Sequence, residues 1–254
     1  MKMQYRRKLI FVICIILFVA SILFVVGWLL HQKDREDIYT EMQEENAVVE
    51  QEIEENDATE TKVEIPIDFA GLQEQNRDIY AWIRIPDTVV DYPIVQHPEE
   101  DSYYLNRTVE GKSGLPGSIY TELLNSKDFS DRNTLIYGHN MKNGSMFGDL
   151  SKYMDATYMK EHGQILIYTP NHIYTYQVFG AITYDNRHIM YEFDFSTDEG
   201  LQTYLDSIRG VRNMSSYIDE SVEVSASDKI ITLSTCTGNK SRRFLVEAVL
   251  VDVQ

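Results

Sequence analysis

The sequence predicts a mainly β-stranded domain tethered by one N-terminal transmembrane helix. Three observations lead to this fold class: an apolar run near the N-terminus, an acidic stretch behind it, and a succession of short apolar segments separated by turn signals. Several short strands at such spacing form a sandwich or a closed barrel. The roughly 190 residues behind the acidic stretch are enough for one domain with a substantial core.

The apolar run Leu9–Leu30 has the length and composition of a membrane-spanning helix. Its 22 residues carry no charge. At about 1.5 Å per residue such a helix is roughly 33 Å long, which is sufficient to cross the hydrocarbon core. A cleaved signal peptide is the alternative, but the run is longer than a signal-peptide apolar region and Gly27–His31 lacks a small-x-small cleavage pattern. We therefore predict a retained anchor.

The charges that flank the apolar run predict its orientation. Residues 1–8 contain four basic side chains, whereas the segment after residue 30 mixes a few basic residues with many acidic ones. Positive flanks stay in the cytoplasm, so residues 1–8 are predicted to be cytoplasmic, 9–30 to form the anchor, and the remainder to lie outside. The chain is then a single-pass protein of the cell membrane with its folded domain extracellular.

Residues 31–66 form an acidic segment that we interpret as a spacer. The formal net charge of the chain is −17 and much of the excess acid lies between Asp34 and Glu64, so no basic face exists for nucleic acid. Its apolar residues are too sparse for a continuous stripe. A solvated, partly helical spacer that lifts the next domain, residues 67–254, off the membrane is the expectation.

Within residues 67–254, short strands alternate with few helices. Turn signals such as Pro86-Asp87 and Pro170-Asn171 separate the strands. A capping-box pattern at Ser196–Glu199, apolar residues at helical spacing and a terminal Gly210 predict a helix over residues 197–209. The other predicted helices are Phe69–Tyr80, Ser145–Tyr153 and Asp155–Glu161. The predicted strands are Trp82–Ile85, Pro93–Gln96, Gly117–Thr121, Thr134–Tyr137, Gln164–Tyr168, Ile173–Tyr184, Lys229–Cys236 and Arg243–Val253.

Cys236 is the only cysteine outside the apolar run. A single extracytoplasmic thiol cannot form an internal disulfide, so it is a buried small hydrophobe, an intermolecular crosslink or a nucleophile. It ends a predicted strand next to Gly238, and this position favours exposure to a substrate. A cysteine nucleophile also needs a base, most often an imidazole within hydrogen-bonding distance.

His139 is the histidine best placed to serve that cysteine. It follows the strand Thr134–Tyr137 and one glycine, a strand-end position like that of Cys236. A Gly-His pair alone is more often structural, but the lone thiol favours a catalytic role. Arg242 and Arg243 begin the last strand and could stabilise an oxyanion, although alternation does not choose between them. One thiolate and dispersed histidines lack the clustered ligands of a metal site.

Three motifs resemble those of one family. Thr232–Cys236 is similar to the Thr-Leu-x-Thr-Cys signature of sortases, which are membrane-anchored cysteine transpeptidases of Gram-positive bacteria. The resemblance is to class B sortases in particular, covers residues 69–254, and implies a closed β-barrel of about eight strands with peripheral helices. The further matching segments are Tyr137–Met141 with Ser145–Phe147, and Trp82, Asp91–Gln96 and Tyr103–Leu105.

The resemblance also implies a role for individual residues. Cys236 is expected to be the nucleophile, His139 its acid/base partner and Arg243 the oxyanion and substrate clamp, with Arg242 as the alternative. No cofactor is implied. The residues that match the family's peptide groove are Leu105, Tyr137, Ser234 and Thr235, and Asp101 stands where a groove asparagine is often found.

The function implied is transpeptidation through a thioacyl intermediate. The expected partners are secreted proteins with a C-terminal sorting signal resembling Asn-Pro-x-Thr-x, a lipid-linked peptidoglycan precursor that supplies the amine, and the plasma membrane. Two alternatives stay open on the residues alone. An extracytoplasmic cysteine endopeptidase or hydrolase would use the same Cys-His pair with water, and a non-catalytic wall-associated adhesin or scaffold would not need the thiol.

Overall fold

The computed structural model describes residues 2–56, 64–211 and 216–254. Two single turns of 3₁₀ helix lie at Tyr103–Asn106 and Leu150–Met154. The helices are α1 (Lys2–Asn56), α2 (Phe69–Gln75), α3 (Ala156–Glu161), α4 (Ile189–Glu192) and α5 (Asp198–Arg209). The strands are β1 (Ile79–Arg84), β2 (Asp91–Val95), β3 (Ile119–Thr121), β4 (Asn133–Tyr137), β5 (Gln164–Tyr168), β6 (Ile173–Asp185), β7 (Ser216–Ile218), β8 (Ile230–Cys236) and β9 (Arg242–Val253).

The strands form a closed barrel. Their order is β5-β1-β2-β3-β4-β8-β9-β6, and a β5–β6 pairing joins the two ends. Closure leaves no free edge in this ring. Among the described residues, the short strand β7 pairs with the distal half of β6 alone and lies outside the ring. The prediction of a closed barrel of about eight strands is therefore confirmed.

The register brings three strand ends to one rim. Strands β4 and β8 run parallel with Tyr137 opposite Ser234, so both reach their carboxyl ends at the same edge. Strand β9 runs antiparallel to β8, and Arg243 is the partner of Cys236. The residues just beyond β4, at the end of β8 and at the start of β9 consequently meet at this rim.

Two apolar clusters hold the barrel. Alternate residues of β9 belong to different clusters, as the two-residue period of a strand requires: Val246 and Ala248 join the larger cluster with Trp82, whereas Leu245 and Val249 join the smaller one. The smaller cluster contains the apolar face of α5, which covers the outside of the barrel. Helix α5 has four fully buried side chains, and burying a large apolar side chain stabilises the fold by roughly 1.5–3 kcal/mol. These side chains are Leu201, Tyr204, Leu205 and Ile208.

Helix α1 differs from the expectation for residues 31–66. Among the described residues, its apolar part is the one helical stretch that is long and apolar enough to cross a membrane. The helix then continues unbroken to Asn56. The predicted solvated spacer is wrong for its middle part, because Ile38, Tyr39 and Met42 are buried in the main core. Sparse apolar residues suffice here because Arg35 and Asn46, buried on the same face, form hydrogen bonds with Leu115 and Asp68 of the domain that follows.

Several predicted boundaries need correction. Helix α2 ends at Gln75 instead of Tyr80, because Asn76 caps it and its side chain bonds to Tyr104 and Val109. Helix α5 is capped by Thr197, whose hydroxyl accepts from the Gly200 N–H, and not by Ser196.

The predicted helix Ser145–Tyr153 is reduced to the 3₁₀ turn at Leu150–Met154. The Asn143 side chain accepts from the Ser145 N–H, and Met146 has a φ of 54°, so the chain turns here instead of coiling. The helix predicted at Asp155–Glu161 is confirmed as α3, with Asp155 as its N-cap. Strand β7 was not predicted from the sequence.

Candidate active site

His139 follows β4 after a glycine that the packing requires. A Cβ on Gly138 would lie 2.5 Å from Ile119 Cδ1 and 2.6 Å from Phe147 Cδ2, so only glycine fits where the strand ends. The imidazole is then fixed by Leu105, whose carbonyl oxygen lies 2.6 Å from His139 Nε2. Because a carbonyl only accepts, Nε2 carries the proton in this contact, which leaves Nδ1 for proton exchange.

Cys236 is the last residue of β8 and is exposed. Three hydrogen bonds join this end of β8 to the segment that carries His139. Gly138 N–H donates to Ser234 O at 3.1 Å, Thr235 Oγ1 donates to Gly138 O at 2.7 Å, and Asn140 Nδ2 donates to Cys236 O at 2.7 Å. The segment that carries the imidazole is therefore hydrogen-bonded to the end of β8, which carries the thiol, on both sides of His139.

One cleft of about 250 Å³ brings the predicted site residues together. It opens at the rim where β4, β8 and β9 meet. Asp101 does not line it, and its carboxylate accepts from the Leu123 N–H at 2.7 Å instead. Apart from Asp101 and the alternative arginine Arg242, the residues that the resemblance assigned to catalysis or to the groove all line it: Leu105, Tyr137, His139, Ser234, Thr235, Cys236 and Arg243.

The two arginines of β9 differ in placement. Arg243 lines the cleft, is partly buried and lies directly opposite Cys236 in the β8–β9 ladder. Arg242 is exposed, does not line the cleft and lies opposite Asp185 on β6. The geometry favours Arg243 as the cation beside the thiol.

Thr235 and Ser234 contribute to the cleft in different ways. Thr235 is 3% exposed and its hydroxyl is already bonded to Gly138, so its side chain holds β8 to the histidine segment. Ser234 is 4% exposed and contributes to the wall beside Tyr137. Tyr137 stacks on Tyr120 with ring centroids 5.2 Å apart. These contacts make the wall of the cleft a fixed surface.

The floor of the cleft contains an acid and an imidazole that the sequence analysis missed. His188 Nε2 lies 2.6 Å from Glu122 Oε2, and Tyr137 donates from its hydroxyl to the same oxygen at 3.2 Å. The Nδ1 atom of His188 is buried without a hydrogen-bond partner. Glu122 precedes a loop and His188 lies in a polar turn, so no local pattern signals that they meet.

Burial dominates the electrostatics of the two stacked tyrosines. Desolvation, strengthened by the negative charge of Glu122, raises the pKa of Tyr120 and Tyr137 well above the usual range, and the positive charge of Arg243 opposes this rise. Both phenols are therefore neutral at physiological pH and can donate hydrogen bonds. Among the residues that the structure describes, no group of three or more His, Cys, Asp or Glu is arranged for a metal ion.

This arrangement suits acyl transfer. An exposed thiol, an imidazole and a guanidinium share one mouth of the barrel, with a partly apolar groove leading to them. They correspond to the nucleophile, the acid/base and the oxyanion donor that such chemistry needs.

Comparison with known proteins agrees with the fold. The family model described as "Sortase domain" matches residues 83–251. Sortase B of Listeria monocytogenes is 37% identical over 202 residues, which are 77% of this chain and 79% of that protein.

Two solved structures show the same architecture. A Staphylococcus aureus sortase B–substrate complex superposes with a TM-score of 0.73 at 26% identity and covers 88% of this chain and 99% of that one. Sortase B from Bacillus anthracis in complex with AAEK1 superposes with a TM-score of 0.70 at 32% identity and covers 88% of this chain and 99% of that one.

Proposed function

Since this chain belongs to the sortase family and, within it, to the class B sortases, which are cysteine transpeptidases, we propose that it joins secreted proteins to the cell wall. Its substrates carry sorting signals, and the proposed signal is an Asn-Pro-x-Thr-x-like sequence near the C-terminus. The observation that carries the proposal is the meeting of Cys236, His139 and Arg243 in one cleft.

In the proposed first step, the Cys236 thiolate attacks the carbonyl carbon of the signal's threonine. Arg243 and backbone N–H groups stabilise the oxyanion. As the peptide C–N bond breaks, His139 gives a proton to the leaving amine, and the threonine remains as a thioester on the enzyme. The groove residues Leu105, Tyr137 and Ser234 hold the signal during this step, while Thr235 supports it through the β8 backbone.

In the proposed second step, an amine of a lipid-linked peptidoglycan precursor attacks the thioester. His139 takes the proton from the amine, the C–S bond breaks, and the thiolate of Cys236 is restored as the new amide forms. Two acyl transfers thus replace one difficult exchange. The two steps need no cofactor, because the proton that His139 gives up and the thiolate of Cys236 are both restored in the second step.

The anchor helix supports the same proposal. An N-terminal apolar helix suggests attachment to the membrane, and the basic residues 1–8 favour a cytoplasmic N-terminus with the barrel outside. A secreted protein and a lipid-linked precursor are both held at that surface. Confinement there raises the effective concentration of each near the cleft.

A ligation assay tests this function. The full chain in detergent micelles is incubated with a fluorescent Asn-Pro-x-Thr-x peptide and either a glycine-type or a diaminopimelate-type amine, and products are identified by mass. We expect cleavage after threonine and a new amide with the amine, and we expect Cys236→Ala to form neither product.

Two other outcomes would contradict the proposed transpeptidase function and favour a different one. Hydrolysis without ligation at saturating amine would favour the cysteine endopeptidase that uses the same residues. Wall-associated function that persists in Cys236→Ala would favour a non-catalytic scaffold.

A further inference from the structure

The segment of α1 just beyond its apolar part is built into the catalytic domain. Residues 35–46, here called the juxtamembrane segment, present one face to the barrel, and Arg35, Tyr39, Met42 and Asn46 of this face are each 6% exposed or less. Tyr39 packs edge to face on Tyr92 of β2 with ring centroids 5.7 Å apart. This burial makes the segment a fixed part of the domain.

Its polar contacts fall on two different parts of the barrel. Gln43 Nε2 donates to Asp91 O on β2 at 2.6 Å. Arg35 and Tyr39 instead bind the loop 114–118, where Arg35 Nε donates to Leu115 O at 2.5 Å and Tyr39 donates from its hydroxyl to Gly117 O. The Tyr39 oxygen also accepts from Val109 N–H at 3.3 Å.

Gly117 also lies close to His139, which leaves no room for a side chain between them. Gly117 has a φ of +70°, and a Cβ there would lie 2.6 Å from Leu105 O and 3.0 Å from His139 Cδ2. Leu105 O is the atom that holds His139 Nε2. Gly117 is therefore hydrogen-bonded to Tyr39 and lies close both to the imidazole of His139 and to the carbonyl that holds it.

A second contact reaches the loop that follows the histidine. Asn143 Nδ2 donates to Glu36 Oε2 at 3.2 Å. The juxtamembrane segment thus contacts the chain on both sides of His139: through Gly117 behind the ring and through Asn143 after it.

We propose that Tyr39 is a positioning residue for His139, so that this one side chain serves catalysis while the juxtamembrane segment as a whole serves as a tether. Tyr39 acts through Gly117, which it fixes against the imidazole and against Leu105 O. The inference rests on the proposed role of His139 as the acid/base partner of Cys236. It assigns a catalytic consequence to a segment whose sequence indicates only a spacer.

The test uses the full chain in micelles in a Cys14→Ser background, so that Cys236 is the remaining thiol. Tyr39→Phe keeps the ring and its packing on Tyr92 but removes the hydroxyl. Gln43→Ala is the matched control, because it removes a contact between the same segment and the barrel that does not touch loop 114–118. The rate of Cys236 alkylation by iodoacetamide is measured against pH, together with peptide ligation and thermal unfolding.

We expect Tyr39→Phe to move the midpoint of the alkylation profile from the wild-type value toward that of His139→Ala. We also expect kcat to fall about three- to tenfold with KM unchanged, the size of effect that the loss of one hydrogen bond predicts. Gln43→Ala should leave both the profile and kcat at wild-type values, even where its unfolding temperature falls.

Contrary results separate two failures. If Tyr39→Phe lowers only the unfolding temperature, or if Gln43→Ala changes kcat and the profile equally, the segment merely docks and the inference is overturned. If His139→Ala itself leaves the alkylation profile unchanged, the proposed catalytic pair is wrong, and the positioning role is overturned with it.

Discussion

Arg243, which lies opposite Cys236, is the residue whose substitution should change the ligation rate most clearly. Arg243 lines the cleft beside the thiol, whereas its neighbour Arg242 faces solvent. Removing one oxyanion donor costs about 10²–10³ in rate, and we expect that loss in kcat/KM for Arg243→Ala in the ligation assay. Arg242→Ala is the control, with a change below about twofold, as for other surface substitutions. A larger loss for Arg242→Ala would reverse the assignment.

The pair on the cleft floor should govern substrate binding. Glu122 holds both the His188 ring and the Tyr137 hydroxyl, so Glu122→Gln should loosen two groups that shape the groove. We expect KM for the sorting peptide to rise about tenfold, a change comparable to the loss of a charge-assisted hydrogen bond. The alkylation rate of Cys236 should stay unchanged.

His172→Ala is the control for this pair. His172 is an exposed histidine in the β5–β6 turn and does not line the cleft. An effect of Glu122→Gln on kcat alone, with KM unchanged, would contradict a role in binding.

Sequence reasoning predicted that Cys236 and His139 meet at one rim of the barrel, and it missed the floor of the groove for a physical reason. Cys236 and His139 each end a recognisable strand, so their placement follows from local pattern. The contact between Glu122 and His188 spans 66 positions. Their meeting depends on how the loops after β3 and β6 fold over the barrel, and no local pattern encodes it.

Between elements, a buried polar network links α5 to two barrel strands. Glu247 of β9 is fully buried and accepts from the Tyr204 hydroxyl at 2.6 Å and from Thr232 Oγ1 at 2.8 Å. Burial disfavours the carboxylate and outweighs these two bonds, which raises the pKa of Glu247 from 4.5 to about 7. The side chain thus titrates near neutral pH inside the fold.

The shift predicts how stability changes with pH. Because folding raises the pKa of Glu247, proton binding by this side chain contributes to the free energy of unfolding. That contribution is complete below pH 4.5 and is lost as pH rises through about 7. Glu247→Gln cannot ionise, so its stability relative to wild type should increase by about 3 kcal/mol between pH 4.5 and pH 8. Urea unfolding followed by Trp82 emission in a Trp28→Phe background measures this difference. A difference independent of pH would show that Glu247 keeps one protonation state.

The regular elements were predictable where periodicity was long enough. Strands such as β6 and β9 alternate or stay apolar over many residues, and α5 repeats its apolar positions over three turns. Strand β7 has three partly buried residues, too few to show a period. The exact cap of α5 depended on whether Ser196 or Thr197 reached the helix N-terminus, and Ser196 Oγ donates to Asp194 instead.

At the scale of the whole molecule, one helix joins the apolar N-terminal segment to the domain that contains the candidate active site. From Leu30 to Tyr39 the helix rises about 13 Å, so the cleft is held at a short distance from the end of the apolar segment. The sequence could not predict this, because the face that docks contains the polar residues Arg35 and Asn46 beside Tyr39, and its apolar residues are too sparse to form a continuous stripe. Their burial is made favourable by hydrogen bonds to partners distant in sequence.

Helix α1 runs unbroken from the apolar segment to residues that pack on the barrel. The orientation of this helix in a membrane therefore determines on which side of the membrane the thiol lies. If residues 1–8 stay in the cytoplasm, the exposed Cys236 must react with a membrane-impermeant maleimide added to intact cells that express the Cys14→Ser protein. Cys236→Ala in the same background should take up no label. Replacing the four basic residues of positions 1–8 with glutamine should reduce labelling, because it removes the charge bias that orients the helix. Labelling that requires permeabilised cells would place the barrel in the cytoplasm, away from any wall precursor, and would rule out the proposed transfer.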